Sequence, residues 1–71
     1  MSANDFVYKT VELTGTSTKS VEDAVDTAVK RAAKTLRQLD WFEVVSTRGQ
    51  LRDGKIAHWQ VTVKVGMRLE D

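Results

Sequence analysis

From Ile56 to Leu69 apolar and polar residues alternate almost without interruption: Trp59, Val61, Val63, Val65, Met67 and Leu69 share one parity, and His58, Gln60, Thr62, Lys64 and Arg68 the other. Successive side chains on a strand point to opposite faces, so this segment is predicted to be one long β-strand with an apolar and a polar face. At about 3.3 Å per residue such a strand spans roughly 46 Å. That is more than one short helix covers, and the strand is expected to reach neighbouring subunits.

Size points the same way. A chain of 71 residues has room for a single domain, taken as residues 1–71, and its 41% apolar and 30% charged content is that of a soluble globular protein. Domains this small bury little surface and are commonly completed by disulfides, a metal or association. There is no cysteine and only one histidine, His58, so association is what remains. With no apolar signal segment and no run near 18 apolar residues, a cytoplasmic protein without a membrane partner is the default expectation. The net charge is +1, from eleven Lys and Arg interspersed with ten Asp and Glu. Nucleic-acid binders gather positive charge on one face; the nearest candidate, Lys30, Arg31, Lys34 and Arg37, reads as the solvated face of a helix, so no nucleic-acid partner is expected.

Ahead of the long strand, Phe6 to Thr14 is strand-like, with Val11 and Leu13 in one phase and Tyr8, Thr10 and Glu12 in the other. Gly15-Thr16-Ser17-Thr18 supplies turn chemistry, and Ser20 with Asp23 three residues on is a helix start. Val21, Ala24, Val25, Ala28, Val29, Ala32, Leu36 and Leu39 then recur at three- and four-residue spacing, which predicts a helix from Val21 to Gln38. Its alanine-rich stripe is thin enough for a sheet to come close. Asp40 ends that period, Trp41 to Thr47 reads as a strand, and Asp53-Gly54 is a favoured hairpin turn. The expected fold is α+β: a β-α-β-β protomer whose three-stranded antiparallel sheet has the last strand in the middle and the helix across one face.

Few catalytic sets can be built from these residues. No cysteine nucleophile exists, one histidine makes no two-histidine metal site, and serine catalysis would require His58, whose strand position marks it as structural or solvated. Gly15 and Gly49 stand alone and form no phosphate loop. The informative stretch is Leu39-Asp40-Trp41-Phe42-Glu43-Val44, because adjacent aromatics on a strand face opposite ways. By phase Phe42, Val44 and Arg48 go with the helix, and Trp41, Glu43, Val45 and Thr47 with the outer face. Counting back from Asp53-Gly54 without interruption, Trp41 faces Gly66 and Thr47 faces Gln60. An outward indole beside a glycine either fills a subunit interface or stacks on a planar ligand. Trp41 and Gln60 share a face but lie six residues apart, about 20 Å, so one ring gripped by both needs two subunits. Trp59 has the phase of a core residue.

Three segments carry a resemblance: Val11-Glu12-Leu13-Thr14-Gly15-Thr16-Ser17, Leu39 to Val44 as quoted, and Trp59-Gln60-Val61-Thr62-Val63-Lys64-Val65-Gly66-Met67-Arg68-Leu69-Glu70. Together they resemble the bacterial dodecins, in register over nearly the whole chain; only the first five residues and the turn from Gln50 to Lys55 carry little signal. The resemblance implies a hollow dodecamer of cubic-type symmetry that is not an enzyme. It would hold flavins, FMN, riboflavin or FAD, in stacked pairs at two-fold axes, storing them and suppressing their photochemistry. It matches Trp41 to the tryptophan that sandwiches the flavin ring and Gln60 to the glutamine bonded to the ring's polar edge. Arg48 and Arg68 match arginines near phosphate-bearing ligands, FMN and sometimes coenzyme A. Gly49 offers a bulge that could re-aim Arg48. Trp59 departs from the tyrosine or phenylalanine common in the family. Two other readings stand beside this one: a coenzyme A or nucleotide carrier that relies on its arginines, and a protein-interaction module with an aromatic patch.

Overall fold

The computed structural model describes residues 5–70; the ends of the expected 1–71 domain, residues 1–4 and 71, lie outside them. Strand β1 (Tyr8–Ser17) is followed by helix α1 (Val21–Thr35) and by strands β2 (Leu39–Arg52) and β3 (Lys55–Arg68). The sheet order is β1-β3-β2, and both pairings are antiparallel. The β-α-β-β protomer with the last strand in the middle is therefore observed. Among the described residues, no helix is long and apolar enough to cross a membrane.

Helix α1 starts where the capping residues place it. The Ser20 hydroxyl accepts the Asp23 N–H at 3.0 Å, and Ser17 Oγ accepts the N–H groups of Lys19 and Ser20 while donating to Asp23 Oδ2 at 2.7 Å. These bonds satisfy donors that a first helical turn leaves unpaired, and Glu22 and Asp23 complement the positive end of the helix dipole. The helix ends at Thr35, three residues before the expected Gln38. Leu36 is already extended (ψ 146), and Gln38 has a left-handed φ of 59 that turns the chain into β2. Leu36 and Leu39 continue the apolar period but meet the core from outside the helix.

β1 runs through Ser17, so Gly15-Thr16-Ser17 is strand and not the expected turn; Gly15 pairs with Val61, Thr16 with Gln60 and Ser17 with Trp59. The glycine serves a close approach. A Cβ on Gly15 would lie 2.2 Å from the Ala24 carbonyl oxygen and 2.9 Å from Ala28 Cβ. Ala24, Ala28 and Ala32 are the buried residues of α1, and with Val61, Val63 and Val65 they hold the helix tight against the sheet. At 1.5 Å per residue α1 is about 22 Å long, roughly half of β3.

The helix sits over β1 and β3 and leaves β2 uncovered. Phe42 and Val44 have the expected phase, yet they are 52% and 45% exposed and face Val21, Val25 and Val29 across an open apolar trough. Trp59 also has the expected phase, but it is only partly buried and lies outside the core cluster. Beyond it the β2–β3 hairpin runs on to Asp53-Gly54, both at positive φ as its two-residue turn requires, with Leu51 and Ile56 exposed.

Gly15→Val is expected to lower the urea midpoint, measured at fixed protein concentration, by the equivalent of about 1–3 kcal/mol of overpacking. Gly49→Ala is the control: its Cβ would meet nothing nearer than 3.7 Å. Equal midpoints for the two variants would show that the helix does not rest on Gly15.

Candidate functional site

The face of the sheet opposite α1 gathers all four candidate residues. On β3 the even-numbered side chains from His58 to Arg68 point this way, and the pairings bring Tyr8, Thr10, Glu12, Thr14 and Thr16 of β1 alongside them. On β2 the ladder is broken in three places. Between Gln50 and Leu51 the partner jumps from His58 to Ile56, which leaves Ala57 extra on β3; Val45 is extra on β2 between Val44 and Ser46, and Asp40 between Leu39 and Trp41. The bulges at Ala57 and Val45 cancel. Trp41 therefore faces Gly66 as expected, but between them the register is shifted by one: Thr47 faces Val61, and Gln60 faces Arg48.

The shift corrects two expectations. Thr47 belongs to the helix side, and Arg48 lies on the outer face with Ser46 and Gln60. A bulge at Val45, four residues upstream of Gly49, re-aims the arginine. Arg48 is held in place there. Its Nη2 donates to Ser46 Oγ at 2.8 Å and its Nη1 to Thr62 Oγ1 at 3.3 Å, while Thr62 Oγ1 is 2.8 Å from Thr14 Oγ1. These partners are neutral. Among the described residues the one ion pair is Lys30 with Asp26 on α1, and none of their carboxylates pairs with Arg48 or Arg68.

Trp41 lies flat over Gly66. A Cβ on that glycine would fall 2.2 Å from Trp41 Cε2 and 2.4 Å from Cζ2, so only glycine gives the indole this seat. Trp41 remains 40% exposed. Tyr8 stands beside it, ring centroids 5.7 Å apart and planes tilted by 57°, and the phenol donates to Asp40 Oδ2 at 2.8 Å. Arg68, paired with Tyr8 across the ladder, places its guanidinium 4.6 Å from the Phe6 ring centroid.

The site residues thus fall into two groups on one face. Trp41 and Arg68 are at one end; Gln60 and Arg48 face each other at the other, six residues along β3 from Gly66, or about 20 Å. Tyr8, Asp40 and Phe6 were not among the sequence candidates. The parity of Tyr8 put it on the polar face of β1, but its nearness to Trp41 depends on the β1–β3 register, for which no turn gives a count. Among the described residues no group of three or more His, Asp or Glu side chains is placed to hold a metal ion.

The Asp40 hydrogen bond raises the Tyr8 pKa above the ordinary phenol value of 10.0, with partial desolvation and the Asp40 charge adding to it and the Arg68 charge opposing it. Since the folded state holds this proton more tightly, its contribution to stability is complete below pH 10 and fades as pH rises through the folded pKa. Tyr8 is the only tyrosine, so ultraviolet titration reads it alone. Phenolate absorbance is expected to rise above pH 10 in the native protein, at lower pH in Asp40→Asn and at higher pH in Arg68→Ala. Coincident titrations would remove the hydrogen bond as the cause.

Comparison with known proteins closes the identification. The Dodecin family model matches residues 7–70. The dodecin of Thermus thermophilus is 51% identical over 65 residues, 92% of this chain and 94% of that one. The solved dodecin of Streptomyces coelicolor superposes with a TM-score of 0.88 at 53% identity, covering 96% of this chain and 97% of the other. A solved tryptophan-to-phenylalanine variant of the T. thermophilus protein gives 0.86 at 48%, covering 94% and 100%. The chain belongs to the dodecin family.

Proposed function

We propose that this chain is a flavin store, binding FMN or riboflavin in pairs between the Trp41 indoles of two symmetry-related subunits and quenching the flavin's photochemistry. The observation that carries it is the indole spread over Gly66 on the face opposite the helix, in a residue that stays 40% exposed. A flat, electron-rich ring on a firm backbone seat suits a planar heterocycle, and such stacking contributes about 0.5–1.5 kcal/mol beyond area burial. A two-fold axis through the site would supply the second indole from the partner. The tryptophan substitution made in the Thermus dodecin falls on the residue type this site depends on.

The separation of Trp41 from Gln60 supports a site shared between chains, since a ring stacked on one Trp41 can reach only the Gln60 of another subunit. There the amide would pair with the polar edge of the ring. Arg48 and Arg68 lack carboxylate partners among the described residues, which suits them to the phosphate of FMN or of coenzyme A. Assembly, which we take to be a dodecamer, has its own support in the apolar surface one protomer leaves open, including Phe42, Val44, Leu51 and Ile56.

A bound flavin supplies a ring that becomes a strong oxidant under light. Trp41, stacked against such a ring, would be placed to give it an electron and take it back, so storage and photoprotection would share one contact.

FMN added to the protein is expected to lose its fluorescence. In Trp41→Ala the two missing indoles cost about 1–3 kcal/mol of affinity, roughly five- to 150-fold, and whatever flavin still binds fluoresces. Full quenching in that variant would overturn the stacking role. FMN left bright by the unaltered protein would favour a coenzyme A carrier or an interaction module instead.

A further inference from the structure

Tyr8 is not needed to hold a ring against Trp41, yet it is placed where chemistry of the oxidised indole would involve it. Its ring touches the indole, with 5.7 Å between centroids, and its hydroxyl hydrogen already points at a carboxylate oxygen 2.8 Å away. A neutral phenol resists losing an electron unless its proton leaves with it, because the phenol radical cation is a very strong acid. A hydrogen-bonded carboxylate removes that obstacle. An oxidisable indole, a phenol in contact with it and a base on the phenol's own proton are the three parts of a proton-coupled electron relay, and Asp40 supplies the third from the bulge beside Trp41.

We propose that Tyr8 and Asp40 form such a relay for Trp41: when the indole has lost an electron, Tyr8 refills it and passes its proton to Asp40. The proposal rests on the reading that a light-excited flavin is the oxidant which takes the electron from Trp41. In the relay step Tyr8 loses one electron to the indole radical cation, the phenol O–H bond breaks, and the proton forms an O–H bond on the Asp40 carboxylate. Trp41 returns to its closed-shell state and Tyr8 becomes a neutral phenoxyl radical. The electron held by the oxidant then returns to Tyr8, Asp40 gives the proton back, and nothing is consumed. The Tyr8 phenol is protonated at neutral pH, so the proton is present to be moved.

The relay would shorten the time during which the stacking residue is oxidised and open to irreversible damage. Trp59 takes no part, since it lies on the other face of β3 and seven residues from Gly66, roughly 23 Å along the strand.

The test uses flavin-free protein carrying Trp59→Phe, so that Trp41 is the only indole and Tyr8 the only phenol. Azide radicals generated by pulse radiolysis oxidise the indole, and transient absorption follows both radicals. The indole radical is expected to decay as the phenoxyl radical rises, at a rate independent of protein concentration. Tyr8→Phe, which keeps the ring, should lose the phenoxyl signal and leave a long-lived indole radical. Asp40→Asn, which keeps Tyr8, should slow the transfer. An indole radical that decays identically in all three proteins would overturn the relay, even with FMN still quenched. Transfer in the flavin-free protein combined with unquenched FMN would overturn the flavin reading and leave the transfer between Tyr8 and Trp41 standing.

Discussion

The helix of this protomer is held so close to the sheet, and is so short beside it, that one chain cannot cover its own apolar surface. Gly15 removes the side chain that would strike the Ala24 carbonyl, and Ala24, Ala28 and Ala32 let α1 rest directly on β1 and β3. A thin contact of this kind is strong where it exists and narrow in extent. It leaves β2 without a cover, so Phe42 and Val44 face an open trough, and it leaves the hairpin beyond Trp59 projecting from a particle 57 Å long and only 20 by 14 Å across. Surface of that kind in a domain this small calls for other copies of the chain.

The opposite face of the sheet is built differently. It is polar along most of its length, with a hydroxyl chain from Thr14 through Thr62 to Arg48 and Ser46 at one end. At the other end Gly66 opens a place for one large aromatic side chain. Trp41 occupies it, braced by Tyr8, which reaches across the central strand to Asp40. The indole and the Arg48–Gln60 pair lie six residues apart along β3, about 20 Å, so a single ligand held by both would need a second copy of the chain.

The long alternation of β3, the alanine stripe of α1 and the Asp53-Gly54 turn made the fold legible in the sequence, because each is a periodic or local signal. The opposed facing of Trp41 and Phe42 was legible for the same reason. Bulges carry no comparable signature. Those at Val45 and Ala57 cancel, so the count from the turn reached Gly66 correctly while misplacing Thr47 and the face of Arg48. Gly15 resembled a turn residue because the demand for a missing Cβ came from the helix packed above it, a contact far from local. Phe42, Val44 and Trp59 had the right phase; how far a helix reaches over a sheet depends on crossing geometry that periodicity does not encode.

The direct measurement is the native mass of the purified protein saturated with FMN, taken with a count of flavin from its visible absorbance. If each two-fold axis joins two Trp41 side chains around two rings, the particle should weigh near twelve times 8.0 kDa and carry one flavin for every chain. A single chain that keeps its flavin, or a full assembly that takes none up, would contradict it.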